Sequence, residues 1–177
     1  LALKIVLNSD AHNESAANIL RLEHDYLSRA GQVAPQWVPD IFQNVFDGPN
    51  GSALLLTKVG RPITNIAAYY RRVLCALVEL HKLEIVHGDP RIANAIIVER
   101  GQINWIDFHM ARFQEQSIIR FRQDMKILVK SLFVSSVGVG VQFPIPDQVE
   151  TALNGYEPQI DESAAALFDA IKDKLNS

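Results

Sequence analysis

The segment HGDPRIANAIIVERGQINWIDF, residues 87–108, sets His87, Asp89, Asn94 and Asp107 into an otherwise largely apolar run. Such groups are costly to bury unless they are paired or bound to a cation. Ala95–Val98 and Gln102–Ile106 read as two short strands joined by Glu99-Arg100-Gly101, where glycine supplies the backbone freedom of a tight turn. In an antiparallel hairpin the entry and exit lie at one end, so Asn94 and Asp107 converge and Asp89, on the loop before Asn94, can join them. Two carboxylates and an amide make an oxygen-rich set suited to a hard cation such as Mg²⁺, which shares its coordination with water and substrate phosphates. Arg91 could meet a developing negative charge or pair with a loop carboxylate, and the sequence leaves both open. Lys4 adds a positive charge in a strand, with Glu23 as its natural counter-charge.

The elements that would position these groups can be read along the chain. Residues 1–8 read as a strand containing Lys4, and 15–30 as a helix containing Glu23, with Gly31 as its C-cap. Strand candidates around 40–46 and 52–59 flank the turn-rich DGPNG and form a hairpin. Residues 64–84 place Ile66, Tyr70, Val73, Leu74, Leu77, Leu80 and His81 along one helical face. Residues 117–135, 147–155 and 161–175 read as helices. VGVGVQFPIP, with Gly138 and Gly140, reads as a loop, because its GxG lacks the strand-to-helix setting of a dinucleotide motif. A strand-rich start before a mainly helical remainder predicts an α+β chain in two lobes, residues 1–60 and 61–177.

HGDPRIAN followed by WIDF resembles the catalytic loop and metal-binding turn of the protein kinase-like superfamily. LALKIV resembles the strand of its nucleotide-phosphate lysine, RLEHDYL the helix of the paired glutamate, and SALLLTKVGRPI the strand and hinge beside the adenine. The resemblance covers residues 1 to about 130. It implies a two-lobe α+β fold with a truncated N-terminal lobe, and ATP and Mg²⁺ as cofactors. It makes Asp89 the catalytic base or hydroxyl-orienting carboxylate, and Asn94 and Asp107 the Mg²⁺ ligands. Lys4, paired with Glu23, would hold the α and β phosphates, while Leu56 would guard the back pocket. Backbone groups of Thr57 to Val59 would meet the adenine edge, and His87 would pack beneath the loop. Taken alone, Lys4 would read as a surface lysine and Glu23 as a solvated helix residue; the ordered motifs together assign them to the site.

The departures from the pattern are informative. Gly88 stands where many regulated kinases have an arginine that pairs with a phosphorylated activation segment, so no such switch is expected. The turn reads Asp-Phe-His, which puts His109 where backbone freedom is usual. Asp124 resembles the buried helix aspartate that braces the catalytic loop, and the span from Asp107 to Asp124 is short. These features resemble compact atypical branches, such as Rio-type, lipopolysaccharide and aminoglycoside kinases. The wording HGDPRxxN also resembles kinase-like domains of fungal and oomycete proteins, including Crinkler-type effectors. The family's glycine-rich loop would lie two strands before Lys4. Either it is encoded upstream of Leu1, or nucleotide binding is weak.

Composition narrows the partners. With 48% hydrophobic residues and a formal charge of −3, the 177-residue chain can bury a core and shows no basic excess for nucleic acid. No run has the length of a membrane span. One cysteine, Cys75, cannot form an internal disulfide, which fits an intracellular, cytoplasmic setting. His81 and His109 show no clear partner. The expected activity is phosphoryl transfer from ATP to a hydroxyl of a protein or small molecule, in the manner of Ser/Thr protein kinase-like enzymes. The alternative is a pseudokinase, a kinase-like interaction or regulatory module with weak or no turnover.

Overall fold

A computed structural model describes residues 1–7, 16–137 and 144–175. Strand β1 (Ala2–Leu7) alternates, with Ala2, Lys4 and Val6 half-buried on one face and Leu3, Ile5 and Leu7 exposed on the other. It pairs antiparallel with β3 (Gly51–Leu56), which pairs in turn with β2 (Ile41–Gly48), so that β3 is the centre of a three-stranded sheet. Ser52, Leu54 and Leu56 of β3 are buried, and Lys4 stands opposite Leu54 in the register.

Helix α1 (Ala16–Val33) packs on this sheet. Leu20, Glu23, Leu27 and Ala30 are all buried, and their helical spacing makes one inward stripe in which a carboxylate replaces an apolar side chain. Contrary to the expected cap at Gly31, the helix runs on to Val33. Ala34 N–H donates to the Ala30 carbonyl at 2.7 Å and both alanines are buried, so packing carries the helix through the glycine.

After β3 the chain leaves strand geometry at Thr57, earlier than residue 59, and enters β4 (Arg61–Pro62). Helix α2 (Ile66–Lys82) begins at Asn65, whose side-chain oxygen accepts from Ala68 N–H at 3.1 Å. Its buried face includes Ile66, Val73, Leu74, Leu77, Leu80 and His81. The hairpin follows as β5 (Ala95–Ile97) and β6 (Ile103–Trp105), which form a second three-stranded sheet in the order β4-β5-β6. Gly101 takes the expected positive φ of 74°, and Arg100 joins it in the left-handed region at 59°.

Helices α3 (Ile118–Val137), α4 (Asp147–Asn154) and α5 (Asp161–Leu175) complete the chain. Trp105, Phe108, Met125 and Tyr156 are among the largest fully buried side chains. Burial of each contributes roughly 1.5–3 kcal/mol. The result is α+β, a small antiparallel sheet followed by a mostly helical remainder. The loop containing Gly138 and Gly140 lies outside the described residues.

Candidate active site

Lys4 reaches from β1 to two acids. Its Nζ donates to Glu23 Oε2 at 2.5 Å and to Asp107 Oδ1 at 2.7 Å, joining the strand, helix α1 and the segment after β6. Glu23 is 1% exposed and Lys4 31%. Burial is the largest influence on the Lys4 ammonium and would lower its pKa, but Glu23 and Asp107 together outweigh it and the net shift is upward. Lys4 therefore stays charged at neutral pH.

Asp107 carries the sharp turn itself. Its φ of 70° and ψ of 58° are left-handed, a conformation aspartate tolerates better than most residues. His109, where freedom was expected, lies in the short helical turn Phe108–Met110 with no positive φ, so the replacement of glycine is accommodated without strain. The His109 Nδ1 sits 2.7 Å from Asp107 Oδ1. That hydrogen bond, with Lys4 beside it, holds the Asp107 carboxyl far below the usual carboxylate range, and reciprocally raises the His109 imidazole. Both contacts fall on Oδ1, which leaves Oδ2 as the oxygen a cation can take.

The hairpin brings Asn94 to the same end. Ala95 pairs with Trp105, and Ile106 N–H donates to the Asn94 carbonyl at 2.9 Å, one residue before Asp107. Asn94 Nδ2 donates to the Asp89 carbonyl at 2.8 Å and to Asp89 Oδ2 at 3.1 Å, so its Oδ1 is the remaining acceptor. Asp107 Oδ2 and Asn94 Oδ1 are hard oxygen acceptors, the donor type that Mg²⁺ takes together with water and phosphate. Among the described residues no group of three His, Cys, Asp or Glu side chains could hold a metal alone.

Of its two open readings, Arg91 takes the ion pair. Its Nε donates to both Asp89 oxygens at 2.8 and 3.0 Å, and Nη2 to Oδ2 at 2.6 Å. In the hinge, Thr57 N–H donates to the Asp40 carbonyl at 2.9 Å. It is therefore not free for an adenine edge, which corrects the expectation for that amide. The Thr57 carbonyl and the Val59 amide make no backbone hydrogen bond among the described residues. Leu56 is buried at the end of β3, behind them.

Beneath the loop lies a network that the sequence showed only in part. Asp124 of α3, 2% exposed, accepts from His87 N–H at 2.7 Å and Gly88 N–H at 3.0 Å. Its Oδ2 also faces His81 Nε2 at 3.3 Å, and His81 Nδ1 meets the Tyr156 hydroxyl at 3.0 Å. Burial keeps His81 and His87 below the ordinary histidine pKa despite Asp124. In the neutral ring, His87 Nε2–H can donate to the Ile106 carbonyl at 3.0 Å while Nδ1 accepts from Asp89 N–H at 3.3 Å. His81 was legible as a buried polar residue on the apolar stripe of α2, which demands a partner; Tyr156 carried no such signal.

Gly88 has a physical reason of its own. Its φ is 88°, and a Cβ there would stand 2.4 Å from the Met110 carbonyl oxygen, so this backbone does not admit arginine.

No protein-family model and no curated protein matches the chain. Among solved structures, the chain is similar to the bifunctional kinase-methyltransferase WbdD, with a TM-score of 0.58 and 17% identity over 98% of its own length. It spans 40% of the length of that protein. The likeness shows the fold alone, and the α+β arrangement is compatible with a kinase-like fold.

Proposed function

We propose that the chain is an ATP- and Mg²⁺-dependent phosphotransferase acting on a hydroxyl of a protein or small molecule. The observation that carries this reading is Lys4 held between Glu23 and Asp107. Residues 1–60 would then supply the nucleotide side and residues 61–177 the acceptor side. Lys4 would lie against the nucleotide phosphates, the Thr57 carbonyl and Val59 amide against the adenine edge, and Leu56 behind it. Asn94 and Asp107 would hold Mg²⁺, which neutralises phosphate charge. Asp89 would orient the acceptor hydroxyl and take its proton as the new oxygen–phosphorus bond forms and the bond to the ADP oxygen breaks. Positioning and charge neutralisation are most of what this chemistry requires.

A second reading has its own support. Arg91 engages both oxygens of Asp89, which suits a nucleotide-binding regulatory module with weak or no turnover. Measurement of ADP formation from Mg²⁺-ATP separates the two. The enzyme reading expects turnover with an acceptor hydroxyl that is lost in Asp89→Asn. Nucleotide binding without turnover in the wild type, across protein and small-molecule acceptors, favours the second.

A further inference from the structure

A groove of about 550 Å³ lies between α2 and the turn of the β5–β6 hairpin, and neither Lys4, Asp89, Asn94 nor Asp107 lines it. Arg71, Arg72 and Arg100 line it and no acidic residue does, although acidic residues outnumber Lys and Arg by 20 to 17 in the chain. Its walls include Trp37, Ala68 and Cys75. Three exposed arginines flank an apolar floor with no carboxylate among the groove's lining residues, and the carboxylates near Arg71 (Glu79, Asp161 and Asp169) line the neighbouring pocket on its other side, so the groove itself presents positive charge to an incoming anion.

The groove is built rather than incidental. Arg72 Nη1 donates to the Gly101 carbonyl at 3.1 Å, and the guanidinium lies 5.6 Å from the Tyr69 ring centroid, which fixes one side. The turn is held closed by Gly101 N–H donating to the Val98 carbonyl at 3.2 Å, with Arg100 in the left-handed region. That conformation is unfavourable for arginine, and unfavourable backbone at a cleft is a pointer to function. Arg71 and Arg100 make no ion pair among the described residues. Trp37 lines the groove, and its indole N–H is buried without a hydrogen-bond partner among the described residues.

We propose that this groove binds a small amphipathic anion, an apolar or aromatic body that carries a phosphate or carboxylate. Its volume is that of a small-molecule site, arginine forks match the oxygens of either anionic group, and the apolar walls take the body. The site does not depend on the phosphotransfer reading.

The test is calorimetric titration of the full chain with 1-naphthyl phosphate and 1-naphthoate, against neutral 1-naphthamide and inorganic phosphate. Both naphthyl anions should bind more tightly than the amide or phosphate alone, and the tighter of the two identifies the head group. Arg71→Gln/Arg100→Gln, at exposed positions, should weaken the anions about tenfold, Ala68→Glu should do the same, and Lys4→Met should not. Alkylation of Cys75 by N-ethylmaleimide should slow when the anion is bound. Equal affinity for the amide, full affinity in both groove variants, unprotected Cys75, or no binding at millimolar anion would each overturn the proposal.

Discussion

At the scale of single residues, the site is a set of mutual obligations between charges. Glu23 lies on the buried stripe of α1 and is neutralised by Lys4 alone among its hydrogen-bond partners described here. Removing the lysine leaves a buried carboxylate unpaired, so Lys4→Met should lower unfolding free energy by about 2 kcal/mol, and adding Glu23→Gln should recover part of the loss. Denaturant unfolding of both variants checks this; an additive loss in the double variant would contradict the pairing. Gly88→Ala should lose at least about 1–2 kcal/mol, since the left-handed φ disfavours any Cβ and the Met110 carbonyl blocks its space. His81 gives a pH signature. Burial lowers its folded pKa below the unfolded value of about 6.5, so the unfolded state binds the extra proton and stability falls as pH drops below that value. In His81→Gln the acid limb of the stability profile should flatten, by up to about 1.4 kcal/mol per pH unit. An unchanged limb would mean that His81 is not held neutral.

At the scale of elements, the hairpin and the helix aspartate define where the polar groups meet. The convergence of Asn94 and Asp107 was legible because it needs only a short antiparallel pair, a local property of residues 95–105. The Lys4–Glu23 pairing was legible only through the order of motifs, since neither residue announces its burial alone. Other features depend on distant neighbours and left little trace in the sequence. The continuation of α1 past Gly31 rests on the packing of Ala30 and Ala34, and the engagement of Thr57 N–H rests on Asp40. The positive φ fell on Asp107 instead of His109 because the turn is completed before the helical residues 108–110 begin. Arg91 was undecided in sequence, and its forked contact with Asp89 is a matter of side-chain geometry.

At the scale of the molecule, the carboxy-terminal helices hold the loop at His87 and Gly88 through a chain of contacts. Tyr156 donates its hydroxyl toward His81, its carbonyl accepts from Arg122 Nε at 2.9 Å, and His81 meets Asp124, which binds the loop amides. Tyr156→Phe should therefore cost about 1 kcal/mol of global stability and speed hydrogen exchange at the His87 and Gly88 amides; a loss of stability without faster exchange would confine Tyr156 to packing. The central claim is that β1, α1 and the hairpin assemble a nucleotide and cation site around Lys4 and Asp107. It is tested most directly by calorimetric titration of ATP, with and without Mg²⁺, into the wild type and Asp107→Asn. The account predicts Mg²⁺-enhanced binding in the wild type and loss of that enhancement in the variant. No ATP binding by the wild type, or equal Mg²⁺ enhancement in Asp107→Asn, would contradict it.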